Sequence, residues 1–234
     1  MTFLAIIQDA SDEIGLPRPV SAISSSDTQV RQLVRQAQRE GQMLARRHNW
    51  TALITEATHT TVATELQGVM TTIAPGFKWM VNNTQWNRSQ QEAIGGPLTA
   101  PDWQILQSAT ITGPYYDYRI QNGNLFLYPA PTAGDTIAFE FMSANWCQSS
   151  TGTGQIKWLN DTDTGVIDEE LMTLGTVVRY KKAKGLGYAE DLRDYEIEVN
   201  NAIARDGGRR ILKLDETYSN REPEIRAPVG SWNL

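Results

Sequence analysis

The sequence predicts an α+β protein, a discontinuous four-helix bundle interrupted by an inserted antiparallel β domain, either a sandwich or a barrel. Three observations carry this expectation. Apolar residues recur at three- and four-residue spacing over the first fifty positions and again after Asp168. Between Thr51 and about Asp161 that period vanishes, and Thr, Gly, Pro and aromatic residues dominate. Within that stretch Asn122-Gly123 separates two apolar runs, the strongest short hairpin signal, because both central residues of a type I′ turn need positive φ. The expected division is a helical domain from residues 1–50 and 166–212, a β domain over 51–165 and an extended tail over 213–234.

The first helix follows from Phe3, Ile6, Ile7, Ala10 and Ile14, with Gly15 and Pro17 as its stop. Pro17 and Pro19 keep the connector extended, and Asp27 is the natural N-cap of a second helix. Val30, Leu33, Val34, Ala37, Leu44 and Ala45 form that helix's apolar stripe, and Arg31, Arg35, Arg39, Arg46 and Arg47 lie mostly off it. Trp50 sits just past its end. In the β stretch, Arg119–Tyr128 reads as the hairpin, Pro129–Asp135 as a turn, and Thr136–Met142 as a strand with Ile137, Phe139 and Phe141 on one face. Ser149–Gly154 is too polar and Gly-rich to pack and reads as a loop or hairpin tip. Asp168 then caps a third helix with Glu169 and Glu170 in its first turn and Lys181, Lys182 and Lys184 in its last, broken by Gly185. Tyr188, Leu192, Tyr195, Val199 and Ile203 set the fourth helix. The tail from Lys213 alternates charge and proline without a period, so it is expected to be disordered in the free subunit and to order on a partner.

Composition narrows the function. At 40% hydrophobic and 21% charged residues the chain is ordinary globular protein, neither disordered nor collagen-like. No run is long and apolar enough for a membrane span, so no membrane partner is expected. The opening Phe3–Ile7 run is short, lacks a basic flank and meets Asp9, which argues against a signal peptide. One cysteine, Cys147, cannot form an internal disulfide, which fits a reducing compartment. A net charge of −6 argues against a protein whose main task is to grip phosphate backbones.

Catalytic patterns are weak. His48 and His59 have no accompanying Ser- or Cys-centred nucleophile motif, and nothing near Cys147 in sequence would activate a thiol. Asp161-Thr162-Asp163-Thr164-Gly165 resembles a calcium loop only in part, since the position for the bidentate Glu is Met172; a turn into the Asp168 cap explains it better. Gly185-Leu186-Gly187 has Glu190 where a dinucleotide fingerprint needs its third glycine. The basic cluster at Arg179, Lys181, Lys182 and Lys184 is offset by neighbouring acids and reads as a solvated or subunit-facing surface. No enzymatic activity, cofactor or metal is expected. The seven tryptophans stand out: most suit a core, but Trp79 and Trp86 flank Asn82, Asn83 and Gln85, a setting typical of a binding or assembly surface.

Taken in order, several segments resemble bacteriophage head–tail adaptor, or connector, proteins of the tail tubular protein A type of short-tailed phages. They are Ile6–Ala10, Ile14–Pro17 with Val20, Arg46–Trp50, Thr84–Arg88, Gly96–Leu98, Trp103-Gln104, the Arg119-Ile120 hairpin, Tyr128–Pro131, Phe139–Phe141 through Cys147, and Arg179–Leu186 with Tyr188–Asp191. The resemblance spans roughly residues 3 to 212 and leaves the C-terminal tail unmatched. It implies a helical bundle joined to a β domain and a structural virion protein without enzymatic residues. It also implies a homo-oligomeric ring of roughly twelve copies between portal and tail nozzle or tube, extending the DNA channel. The resemblance places the protein in the virion neck, with host cytoplasm as the site of assembly. Double-stranded DNA would pass non-specifically, and acidic side chains facing the lumen would let it slide. Candidate partner-binding residues are Trp79 and Trp86 on the β domain and Arg226, Val229, Trp232 and Leu234 as spaced anchors in the tail. The competing readings are another tail-tube or nozzle subunit and a glycan-binding β module whose tryptophans stack on sugars.

Overall fold

The computed structural model describes residues 1–108 and 115–207 of the 234. The expected tail over 213–234, with Arg226, Val229, Trp232 and Leu234, lies outside the described residues. Helix α1 runs Phe3–Ile14 and ends where Gly15 turns left-handed at φ 78°. Helix α2, Thr28–Arg47, is capped by Asp27, whose side chain accepts from Gln29 N. Helix α5, Glu169–Lys184, is capped by Asp168 and ends at left-handed Gly185; α6 follows over Ala189–Arg205. Helix α5 is the hub, packing on α1, α2 and α6, so the two helix pairs close on one another across the intervening chain.

The intervening chain is α+β rather than purely β. Strands β1 (Ile54–Thr60), β3 (Phe77–Met80), β4 (Trp86–Asn87), β5 (Glu92–Ala93) and β8 (Thr136–Ser143) form one antiparallel sheet. Strands β2 (Leu66–Val69), β6 (Asp117–Gln121) and β7 (Asn124–Tyr128) form a second. The hairpin is as expected: Asn122 and Gly123 both have positive φ, and Gln121 pairs with Asn124. Ile137, Phe139 and Phe141 of β8 meet Tyr118, Leu125 and Leu127 of the other sheet in one buried cluster. That makes a sandwich; none of the described sheets closes into a barrel. Two short helices, α3 (Met70–Ile73) and α4 (Ala100–Ser108), lie inside this stretch, against the expectation that helices are absent there. Helix α4 buries Trp103 edge-on against Phe126 and Tyr128, covering the outer side of β7.

The hydrophobic core changes hands earlier than residue 165. Trp146, Cys147 and Trp158 pack with Phe3, Leu33, Leu44 and Leu171 in the helical cluster, not with the sandwich. The reason is visible in β8, whose odd residues face the sandwich core while Met142 near its end enters the helical one. From there a small sheet of β9 (Cys147–Gln148), β10 (Gly154–Gln155) and β11 (Thr164–Gly165) lies against the bundle, with residues 149–153 as its hairpin tip. The Asp161–Gly165 loop does structural work. The Asp161 carboxylate accepts from Ser21 Oγ, Ala22 N and Ile23 N, tying the α1–α2 connector down, and buried Asp163 accepts from Leu159 N and Asn160 N.

Candidate functional site

The residues singled out for chemistry are dispersed. His48 lies 3.1 Å from Asp206 and edge-on to Trp50, at the join between the ends of α2 and α6. His59 is half-buried on β1, and burial lowers its pKa. Burial, reinforced by Asp163, pushes the Cys147 thiol up to about 12, so it is neutral and inert near pH 7. Among the described residues, no group of His, Cys, Asp and Glu is arranged to hold a metal ion.

What the fold does assemble is a surface. Residues directly opposite one another in an antiparallel ladder share a face. Trp79 pairs with Met142 and Trp86 with Ala138, so both tryptophans lie on the outer face of the larger sheet, with Glu140 between them. Their attachment points are four β8 residues apart, about 13 Å. Trp79 is 39% and Trp86 40% exposed, a large apolar area for side chains that ordinarily bury. The face continues through Glu56, which lies opposite Glu140 and accepts from Arg88 at 2.8 Å. Glu56, Thr84, Trp86, Arg88 and Glu140 border a depression of about 400 Å³.

The backbone under this face is held by buried amides. Gln85, expected among the surface polar residues, is buried, and its Nε2 donates to Val81 O at 2.6 Å. Asn87 is fully buried; its Oδ1 accepts from Ser89 N and Gln90 N, and its Nδ2 donates to Asp135. These bonds shape the β4–β5 hairpin and so aim Trp86 outward. Thr84 Oγ1 accepts from Glu140 N and donates to Val81 O, locking the Trp79–Trp86 connection to β8.

A second part of the surface is a groove of about 340 Å³ among α2, α5 and α6. Its floor is Glu40, 1% exposed, which accepts from Arg179 Nε and from the Tyr195 hydroxyl. Burial and then the Glu40 charge raise the Tyr195 pKa. Gly175 lets α5 approach: a Cβ there would lie 2.3 Å from Glu40 Cδ. Gly41 does the same for α2, where a Cβ would lie 2.1 Å from the Trp146 ring. Met43, Leu192 and Tyr188 line the walls, and Arg46, Arg47 and Lys182 the rim. Arg47 is bonded to Glu196, whose pKa that bond lowers.

Lys78 joins the two parts. Its ammonium stands 4.3 Å from the Trp79 ring centroid, donates to Ala45 O on α2, and is held below its ordinary pKa by burial and by Arg46. The tryptophan face and the basic groove are therefore adjacent, across the join of the two cores. The sequence singles out the two tryptophans, which are exposed, but not the groove. The signals were Glu40, an acid on the buried side of an otherwise basic helix, and Gly175 within a helical stripe.

The family model described as SU10 adaptor protein, a phage head–tail adaptor family, matches residues 1–221. No curated protein matches the chain.

Proposed function

The chain belongs to the SU10 adaptor protein family and is a phage structural adaptor protein; on that premise we propose that it forms a ring of about twelve copies between portal and tail. In this reading the ring extends the DNA channel and works by contact and by shape, without catalysis, after assembling in the host cytoplasm. The observation that carries it is that the family match runs through both the helical unit and the sandwich. The exposed tryptophan face beside the groove supplies what a platform protein needs, large rigid aromatics on a surface with a polar rim. A channel lined by acidic side chains would let DNA slide, in keeping with the net charge of −6. The glycan-binding alternative is weakened by Lys78, whose ammonium occupies one face of the Trp79 ring.

The test is direct binding of the purified chain to purified portal, followed by imaging of the complex. A ring seated on the portal supports the reading. A subunit that binds tail components and ignores the portal belongs further down the tail and overturns it.

A further inference from the structure

Helix α2 carries Arg31, Arg35, Arg39 and Arg46 on one side. At 3.6 residues per turn they fall within an arc of about 80°, opposite the buried Leu33, Ala37 and Leu44. All four are exposed, and among the described residues none has an ion-pair partner. Glu40 is the only acid in this helix and is buried. Helix α6 carries the counterpart: Glu190, Asp194 and Glu198 are exposed, spaced four apart, and within an arc of similar width turned away from buried Val199. Their only ion pair among the described residues is a loose one, Glu198 to Arg205 at 3.9 Å. Arg31, Arg35 and Arg39 repeat every four residues, as do Glu190, Asp194 and Glu198, about 6 Å of helix rise per step, so these three-residue rows have the same pitch, and Arg46 extends the arginine side two turns further.

We propose that the α2 arginine row of one copy docks on the α6 acidic row of the next, making the head-to-tail contact of the ring. This rests on the ring reading above and deepens it. A heterologous contact needs two different complementary surfaces on one chain, and closes into a ring when the rotation permits. Matched rows of opposite charge fix register and steer approach more than they add raw affinity. They also offset locally the mutual repulsion of copies that each carry −6. A polyanion such as duplex DNA would satisfy α2 alone and would be repelled by the acidic row on the neighbouring helix. One contact between copies neutralises both rows.

The test uses the full chain. Arg35→Cys and Asp194→Cys proteins are prepared separately and mixed under mild oxidation; native Cys147 is buried and stays silent. The mixture should give a disulfide-linked heterodimer well above either protein alone and above a control pairing Arg35→Cys with Val62→Cys. Reversing one row (Arg31→Glu, Arg35→Glu, Arg39→Glu, or Glu190→Arg, Asp194→Arg, Glu198→Arg) should raise the concentration for self-association on the order of a hundredfold while leaving the melting temperature in place. Mixing the two reversed proteins should restore assembly as alternating copies, since each then meets an opposite row on both sides. If wild type forms rings and either reversed protein forms them equally well, the contact lies elsewhere and this inference fails while the ring reading stands. If wild type neither crosslinks nor assembles at any concentration or on the portal, both fail. Binding of the arginine row to duplex DNA in place of the crosslink overturns the inference as well.

Discussion

Gly175→Ala should destabilise the wild-type chain and stabilise a Glu40→Ala variant. The added Cβ would lie 2.3 Å from Glu40 Cδ and 2.6 Å from its Cγ, more than 1 Å inside normal carbon contact. Glu40 is not free to yield, because Arg179 and Tyr195 hold its carboxylate and only 1% of the residue is exposed. Overpacking of this kind costs about 1–3 kcal/mol, and so tight an approach to a pinned side chain belongs at the upper end; against roughly 1 kcal/mol of helix propensity gained by replacing glycine with alanine, the net is a loss of up to about 2 kcal/mol. Glu40→Ala alone leaves the buried Tyr195 hydroxyl without its acceptor and strands Arg179. Because Arg179 is 30% exposed and regains water, the expected cost is about 3 kcal/mol, the low end for breaking a buried pair. With the Glu40 side chain gone the obstacle is gone, and Gly175→Ala should then add about 0.5–1 kcal/mol. Urea unfolding of the four proteins reads the coupling directly. Equal effects of Gly175→Ala in both backgrounds would refute the claim that Glu40 sets the approach of α5.

Other expectations concern pH and partners. The Cys147 pKa is raised above its unfolded value, so its contribution is fully present below about pH 8.5 and is lost as pH climbs toward 12. Cys147→Ala should flatten that alkaline decline, on the order of 2–4 kcal/mol, in denaturation curves taken at stepped pH. Trp79→Ala and Trp86→Ala should weaken partner binding about tenfold or more in a titration while barely moving the melting temperature. Removing residues 213–234 should leave subunit melting unchanged and strongly reduce ring assembly on the portal, as seen by light scattering; undiminished assembly would show that this segment is not a docking arm.

The helices were legible because their signals are local. Asp27, Asp168, Gly15 and Gly185 cap or stop them where the sequence indicates, and the β6–β7 turn is written in Asn122-Gly123. Helix α4 was hidden because it is short and buries one residue, Trp103, so it has no apolar period to detect. The early shift of the core is a property of strand β8, whose two faces end in different cores. No periodicity reports which distant partner Met142 or Trp146 finds. The tryptophan pair was legible as bulky residues in polar company, yet only the β8 register puts both on one face. The groove depends on Glu40 meeting Arg179 and Tyr195, 139 and 155 residues away, and such contacts leave no mark on spacing.

The central claim, that this adaptor assembles as a ring on the portal, is tested most directly by mixing the purified chain with purified portal and imaging the product. A closed ring of about twelve copies bound coaxially to the portal is the result expected. Portal particles that remain bare, with the chain monomeric beside them at micromolar concentration, would contradict it.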